Sequence, residues 1–557
     1  MTVQSAALLS DLQAQVRRLE DDLRQQVDRL PDLAARLRSD HARASGVGRT
    51  AESWTAWLDA QATQAAVSWV LGCVFVRFCE DNDLTDRRWI AGVPDRRGDG
   101  LARAVDGQAA WIQQHPREND RTWLRESFRW LRGTRAGASM CPETDFVWWW
   151  DVSADAAEAL VAFFRRRDGD GRLVHRFDSP DWDTRFLGDL YQDLSQDARK
   201  RYALLQTPEF VEEFILDLTL DPALDRFGLN DFRMIDPTCG SGHFLLGAFR
   251  RLLDGWTRAE PGLEVRRRVE RALDAVHGVD VNPAATAIAK FRLIVAALSA
   301  CGATGLDTSD APDFSRVLHV ATGDSLIWGS GGRQLQAELD GGELRLDEHR
   351  YAWEDVEQYP DILSRGRYHA VVGNPPYITV KDKALNAAYR DRYPTCHRQY
   401  ALSVPFAELF FRLAVQDSDA PGTVGQITSN SFMKREFGSK LVEEFFPRID
   451  LTHVIDTSGA YIPGHGTPTV ILVGNHRYPR SQTVRAVLGI RGEPSAPAEP
   501  AKGLVWRSIV DNVDAPGAQT EYVSVTDLPR DRLRAHPWSL SGGGADELVG
   551  VIEAGST

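Results

Sequence analysis

Near the start of the chain, Leu12, Val16, Leu19, Leu23, Val27 and Leu30 recur three and four positions apart with charged residues between them, which predicts an amphipathic helix with one apolar stripe. Pro31 interrupts it. With only about three heptads, the stripe is expected to pack on the body of the protein rather than in a free coiled coil. After the loop Ser45 to Arg49, the run Trp69 to Phe78, apolar but for Gly72 and Arg77, predicts a buried helix ending at Glu80-Asp81-Asn82-Asp83. Polar residues interrupt even the densest apolar stretches, such as Ala65 to Phe78, so none reads as a membrane span. Trp148-Trp149-Trp150 is expected to fill a core or a domain interface.

From about residue 200 the pattern changes to short apolar runs ended by turn residues and followed by helical periodicity. Phe232 to Ile235, Ala275 to Val279, Leu318 to Ala321, Tyr368 to Gly373, Gly422 to Asn430 and Thr467 to Val473 read as strands. The polar segment Arg258 to Arg271 reads as an inserted helix. Strands alternating with helices predict an α/β, Rossmann-like domain behind a mostly helical N-terminal region. The expected organisation is an amphipathic helical arm over 1–45, a helical domain over 46–200, the Rossmann-like domain over 201–480, and over 481–557 a linker with the proline-rich turn Gly492 to Pro500 and the beginning of a C-terminal region.

The strand ends carry the chemistry. Asp236-Pro237-Thr238-Cys239-Gly240-Ser241-Gly242-His243-Phe244 joins a strand to a helix through a glycine turn. Gly240 and Gly242 let the backbone approach a ligand closely, and the helix N-terminus behind them favours a carboxylate. Asp280 ends the next strand, before Asn282-Pro283, where an acid suits the hydroxyls of a ribose. Asp324-Ser325 follows the third, where the acid suits an adenine amino group; read singly, Asp280 and Asp324 are also what helix caps and turns require. Directly after the fourth apolar run stands Asn374-Pro375-Pro376-Tyr377. An amino nitrogen conjugated to a ring is a poor nucleophile, because its lone pair is delocalised. Methylating it requires acceptors that draw the nitrogen toward tetrahedral geometry, and the Asn374 side-chain carbonyl and the Pro375 backbone carbonyl are two such groups. The prolines stiffen the turn, and Tyr377 offers a flat face for a base taken out of its stack.

In this order the segments closely resemble an S-adenosylmethionine-dependent DNA adenine methyltransferase of the class whose cofactor motifs precede the NPPY motif and whose recognition region follows it. Gln206-Thr207-Pro208-Glu209-Phe210 matches that class's leading cofactor motif, and the resemblance covers about residues 200 to 475. It implies cofactor contacts from Thr207, Pro208, Asp236, Pro237, Gly240, Gly242, Phe244, Asp280, Asn282, Asp324, Ser325 and Asn374, a catalytic motif of Asn374, Pro375, Pro376 and Tyr377, and no metal. Phe406 to Phe411 resembles a later element of the same domain. The leucine-rich start, Arg77 to Leu84, Arg185 to Gln192 and Ala486 to Pro494 are similar to the PglX family of the phage growth limitation and BREX type 2 defence systems. That family implies transfer of a methyl group to the exocyclic amine of adenine in host DNA, with double-stranded DNA and other defence proteins as partners. Such proteins normally continue through a long recognition region, whereas this chain stops soon after His536 to Gly544.

Composition changes the picture at three points. Six cysteines without CxxC pairing fit a reducing, cytoplasmic setting and offer no structural zinc site; Cys239 reads as a small buried turn residue. A net charge of −14 is unfavourable for DNA, so phosphate contacts must be local. Lys381, Lys383, Arg390 and Arg392, interleaved with Tyr389 and Tyr393, are the candidate contacts, whereas Arg117 to Arg135, Arg165-Arg166-Arg167 and Arg266-Arg267-Arg268 read first as solvated helix faces. The absence of lysine before Lys200 weighs against a nuclease of the Asp, Glu-x-Lys type ahead of the methyltransferase. A restriction-modification enzyme with an atypical nuclease and a defence-complex scaffold that binds cofactor or DNA without turnover remain the alternatives, beside NPPY enzymes that act on protein glutamine or structured RNA.

Overall fold

The computed structural model describes residues 3–179, 182–188, 206–329, 349–538 and 540. Asp189 to Gln192 and Ser541 to Gly544 of the family-like segments lie outside the described residues. The apolar stripe of the N-terminus forms α1 (Val3–Arg29), with Leu12, Val16, Leu19, Leu23 and Val27 buried. Leu30 departs from the expectation: it is 43% exposed, because the helix has ended and Pro31 takes the first position of α2 (Pro31–Gly46), where its missing N–H costs nothing. The stripe packs on α3 (Trp54–Asp81), with Thr63 donating to Glu20 Oε1 at 2.7 Å and Arg24 bonded to Asp59 at 2.7 Å. Ser53 caps α3, whose residues from Gln61 onward are buried with the exception of Gly72. At its end Arg77 bonds Glu80 and Asp81, and Glu80 also accepts the Trp89, Ile90 and Ala91 N–H groups, so these buried charges are compensated. α5 (Asp120–Gly133) packs on α3, α6 (Ala154–Phe164) packs on α5 and α1, and α4 (Gly100–Gln114) meets α5 where the Trp111 and Trp123 rings lie 5.5 Å apart. The tryptophan triplet belongs to this packing, and the Trp150 carbonyl accepts from Trp69 Nε1 at 3.0 Å.

The second half is built on one nine-stranded sheet in the order β3-β2-β1-β4-β5-β7-β6-β8-β9. After α7 (Glu209–Phe227) come β1 (Met234–Asp236), α8 (His243–Ala259), α9 (Val265–Asp274), β2 (Val276–Asp280), α10 (Pro283–Ala300), β3 (His319–Thr322), the single turn α11 (Ser325–Trp328) and β4 (Ala370–Gly373). α12 (Lys383–Arg392) and α13 (Ser403–Leu413) precede β5 (Thr423–Ser429), β6 (Asp450–Asp456), β7 (Thr469–Asn475) and β8 (Thr483–Gly489); α14 (Leu504–Asn512) and β9 (Val523–Pro529) complete the series. β1 to β5 pair in parallel, and β7 is antiparallel to both β5 and β6. The strand order reverses between β1 and β4, and at such a point the loops leaving the carboxyl ends separate and open a crevice. The inserted helix is α9, shorter and later than Arg258 to Arg271, because α8 runs on to Ala259.

Two joints differ from the expected division of the chain. The sheet does not stop near residue 480: β8 pairs in parallel with β6 and β9 pairs with β8, so the stretch expected to be a linker extends the sheet. α14 fastens this extension to α7, with Trp506 edge-on to Phe210 and Phe214 at 4.9 and 5.4 Å between ring centres. The N-terminal helices likewise share a core with the sheet domain, Phe75 of α3 stacking on Phe291 of α10 at 4.3 Å with 7° between planes. Both rings are buried, so Phe75→Ala is expected to cost about 3–5 kcal/mol. The helices and the sheet are expected to unfold in one transition, followed in urea by tryptophan fluorescence and far-UV circular dichroism; two separate midpoints would contradict a shared core.

Candidate active site

A cavity of about 570 Å³ opens at the reversal point, lined by residues from the ends of β1, β2, β3 and β4. Its floor is the turn after β1. Gly240 has φ +52° and Gly242 φ +84°, left-handed values that favour glycine. A Cβ on Gly240 would meet nothing within 4 Å, whereas one on Gly242 would stand 3.0 Å from Ala289 Cβ. Gly240 therefore presents bare backbone to the cavity, and Gly242, which does not line it, allows α8 to sit close on α10. Gly278 in β2 does similar work, since a Cβ there would strike Leu245 at 2.6 Å and Cys239 at 3.1 Å. Cys239 is buried, with its thiol pushed well up by burial, as suits a packing residue.

Each acid stands at a strand tip. Asp236 Oδ1 accepts from the Thr238 N–H at 2.9 Å and its hydroxyl at 3.0 Å, and burial without a cation beside it pushes its carboxyl up to about 8. Gly373 of β4 makes room for it, for a Cβ there would lie 2.5 Å from Asp236 Oδ1. Asp280 accepts the Gly240 N–H at 2.9 Å and the Asn282 N–H at 2.8 Å, and burial raises it to about 6. Asn282 does not line the cavity; it caps α10 by accepting the Ala284 N–H. Asp324 caps α11 through Oδ1 and accepts the Tyr389 hydroxyl on Oδ2 at 2.5 Å. The turn and cap geometry of both acids is thus present, and both line the cavity.

Thr207, Pro237, Phe244, Ser325, Asn374 and Pro376 also line it, while Pro208 lines a neighbouring cavity of about 360 Å³. Asn374 donates to Thr207 Oγ1 at 3.2 Å, joining the segment ahead of α7 to the turn after β4. Its Oδ1 accepts the Tyr377 hydroxyl at 2.6 Å, and its Nδ2 lies 3.5 Å from His465 Nε2. Pro375 is buried and Tyr377 partly so; neither lines the cavity, and the Tyr377 ring lies 6.2 Å from that of His465. Among the expected DNA contacts, Lys381 lines the cavity and is exposed, as is Lys383. Arg390 instead bonds the Arg398 carbonyl at 2.5 Å and lies over Tyr400, and Arg392 turns back on the Ala388 carbonyl at 3.3 Å. Tyr393 is fully buried with its hydroxyl on the Leu326 carbonyl at 2.9 Å, so it does not face an incoming base.

Sequence reasoning missed one whole wall. Arg49, Thr50, Glu52, Trp57 and Gln61 reach the cavity from the N-terminal helices, and Tyr351 and Trp353 reach it from the segment before β4. No periodicity marks them, since the contacts join residues some 300 positions apart. His465 carried no signal beyond its glycine-flanked turn.

Residues 274–462 match the model of the Eco57I restriction-modification methylase. The chain is 52% identical over 99% of its length to the adenine-specific methyltransferase PglX of Streptomyces coelicolor, covering 46% of that protein. It is 24% identical over 53% of its length to the type II methyltransferase M.BstVI of Geobacillus stearothermophilus, again covering 46%. The DrdV–DNA complex shares the fold, with a TM-score of 0.51 at 13% identity over 96% of this chain and 46% of that one. The chain spans about half the length of the curated relatives it matches.

The raised Asp236 carboxyl makes stability depend on pH. Its folded value lies above its unfolded one, so its contribution is full below about pH 4 and is lost as pH rises toward about 8. Asp236→Asn removes that dependence, and its melting temperature is expected to gain on the wild type between pH 5 and pH 8, measured by calorimetry. A constant difference across that range would contradict a neutral Asp236.

Proposed function

We infer that this chain, PglX-like along 99% of its length, is the methyl-transferring part of a DNA adenine methyltransferase that uses S-adenosylmethionine. The observation that carries the reading is the convergence on one cavity of the glycine turn, the acids of β2 and β3 and the Asn374 turn. The residues present fit that cofactor. Bare backbone at Gly240 permits close approach, Asp280 and Asp324 offer acceptors to a nucleoside, and the surrounding wall is largely apolar. Gly240, Asp280, Asp324, Ser325, Phe244 and Thr207 would hold the group, which supplies an electrophilic methyl when bound.

The work of the chain is then positioning and exclusion of water. The target adenine is taken out of the duplex, because its amino group is out of reach within the helix. Asn374 Oδ1 and the Pro375 carbonyl would accept from that amino group and localise its lone pair, on a turn whose φ angles the prolines fix. Tyr377 gives up its bond to Asn374 Oδ1 when the amine enters, and its ring turns from the His465 side toward the base. Lys381 and Lys383, exposed beside the mouth, take the phosphates on either side. The modified base would mark DNA as self within a defence system, in company with other proteins of that system, in the cytoplasm.

The test is transfer of a labelled methyl group to unmethylated genomic DNA, followed by digestion and identification of the modified nucleoside. The wild type is expected to yield N6-methyladenine, and Asn374→Ala to lose at least about 100-fold in rate. Label found in protein or RNA instead, or equal transfer by both forms, would overturn the reading. Plasmid cleavage on addition of Mg²⁺ would point to the nuclease-bearing alternative.

A further inference from the structure

The turn between α2 and α3 is bound on both sides of the cavity mouth. Arg49, buried, donates to Glu354 Oε1 at 2.7 Å and to the His349 carbonyl at 3.0 Å. One residue on, the Thr50 hydroxyl and the Ala51 N–H both donate to Asp382 Oδ2, at 2.8 and 2.7 Å, and Asp382 Oδ1 caps α12. The turn thus joins the segment before β4 to the helix after the Asn374 motif. Within α3, Gln61 Oε1 accepts from Trp353 Nε1 at 3.0 Å, and Trp353 stacks on Tyr351 at 5.2 Å with 6° between planes. Trp57, 6.4 Å from Tyr351, completes an aromatic group that is buried yet lines the cavity.

This wall stands over one end of the cavity. Asp355, next to Glu354, accepts the Thr322 N–H at the end of β3, and the Tyr389 hydroxyl of the helix that Asp382 caps is held by Asp324. The wall is therefore tied to the tip of β3. Flat apolar rings beside hydrogen-bonding side chains are what a purine nucleoside buries against.

We propose that the N-terminal helical region is part of the cofactor site, with Trp57, Tyr351 and Trp353 receiving the adenosine end of the cofactor and Thr50 and Gln61 holding that wall in place. The inference rests on the cavity being the cofactor site. By linkage, a nucleoside bound against this wall also binds the N-terminal helices to the sheet domain, so occupancy of the cavity tightens their docking.

The test uses the full chain with S-adenosylhomocysteine as the probe, binding being measured by calorimetry and amide hydrogen exchange by mass spectrometry. Thr50→Val and Gln61→Leu are each expected to raise the dissociation constant about tenfold, the usual effect of losing one or two hydrogen bonds. In the wild type, the probe is expected to slow exchange across residues 47–61. The exchange measurement decides the matter should either variant fold poorly. Unchanged exchange across 47–61 on saturation, with both variants binding within twofold of the wild type while Asp280→Ala loses binding, would overturn the proposal and leave the cofactor cavity standing. A wild type that binds no probe would remove the cavity's assignment and the wall's with it.

Discussion

The carboxylate of Asp280 is the joint on which the crevice depends. One oxygen holds the backbone of the glycine turn after β1, and the other holds the turn that starts α10. A third bond, from the Cys239 N–H to the Val279 carbonyl at 3.0 Å, keeps the same loop flat on β2. Three bonds on one short loop hold it more firmly than any one of them would. The shape of the floor is therefore set before any ligand arrives. The other elements are placed relative to it: α8 by the close contact of Gly242 with Ala289, and β4 by the fit of Gly373 over Asp236.

What was legible in the sequence was local. β1 to β5 and β7 each combine an apolar run with a terminal acid, glycine or asparagine, so period and turn chemistry both point to them. Asp280 and Asp324 were open to two readings, cap or ligand contact; the structure shows the turn and cap bonds, and these hold both carboxylates at the cavity. β6 gave no clear signal, because a bulge between Leu451 and His453 breaks its alternation, and β9 carries Asp527 and Pro529, which are poor strand formers. The N-terminal wall was illegible for a different reason. Arg49 and Trp57 are ordinary residues of a loop and a helix until the chain returns some 300 residues later with Glu354 and Tyr351.

The arginines show how charge and composition mislead. Arg121 and Arg125 donate to the Val152 and Val147 carbonyls, Arg129 and Arg132 pair with Glu126 and Glu143, and Arg166 and Arg167 pair with Asp11 and Asp99 at 2.6 Å. Trp123 and Phe128 of the same stretch are buried. Each of these arginines already has a partner within the fold. Lys381 and Lys383 are exposed, and Lys381 lines the cavity.

The position of β7 between β5 and β6 governs how the molecule can be made. Residues 234–429 can assemble the parallel half as they leave the ribosome, but β5, buried along its whole length in the finished protein, then has an open edge. β6 emerges next and cannot cover it, since its place is one strand further out. Only when Thr469–Asn475 arrives is the gap filled and both neighbours paired at once. A nascent chain paused in that interval presents an unpaired strand edge to its surroundings, the kind of surface that chaperones capture and that otherwise recruits a second unfinished copy.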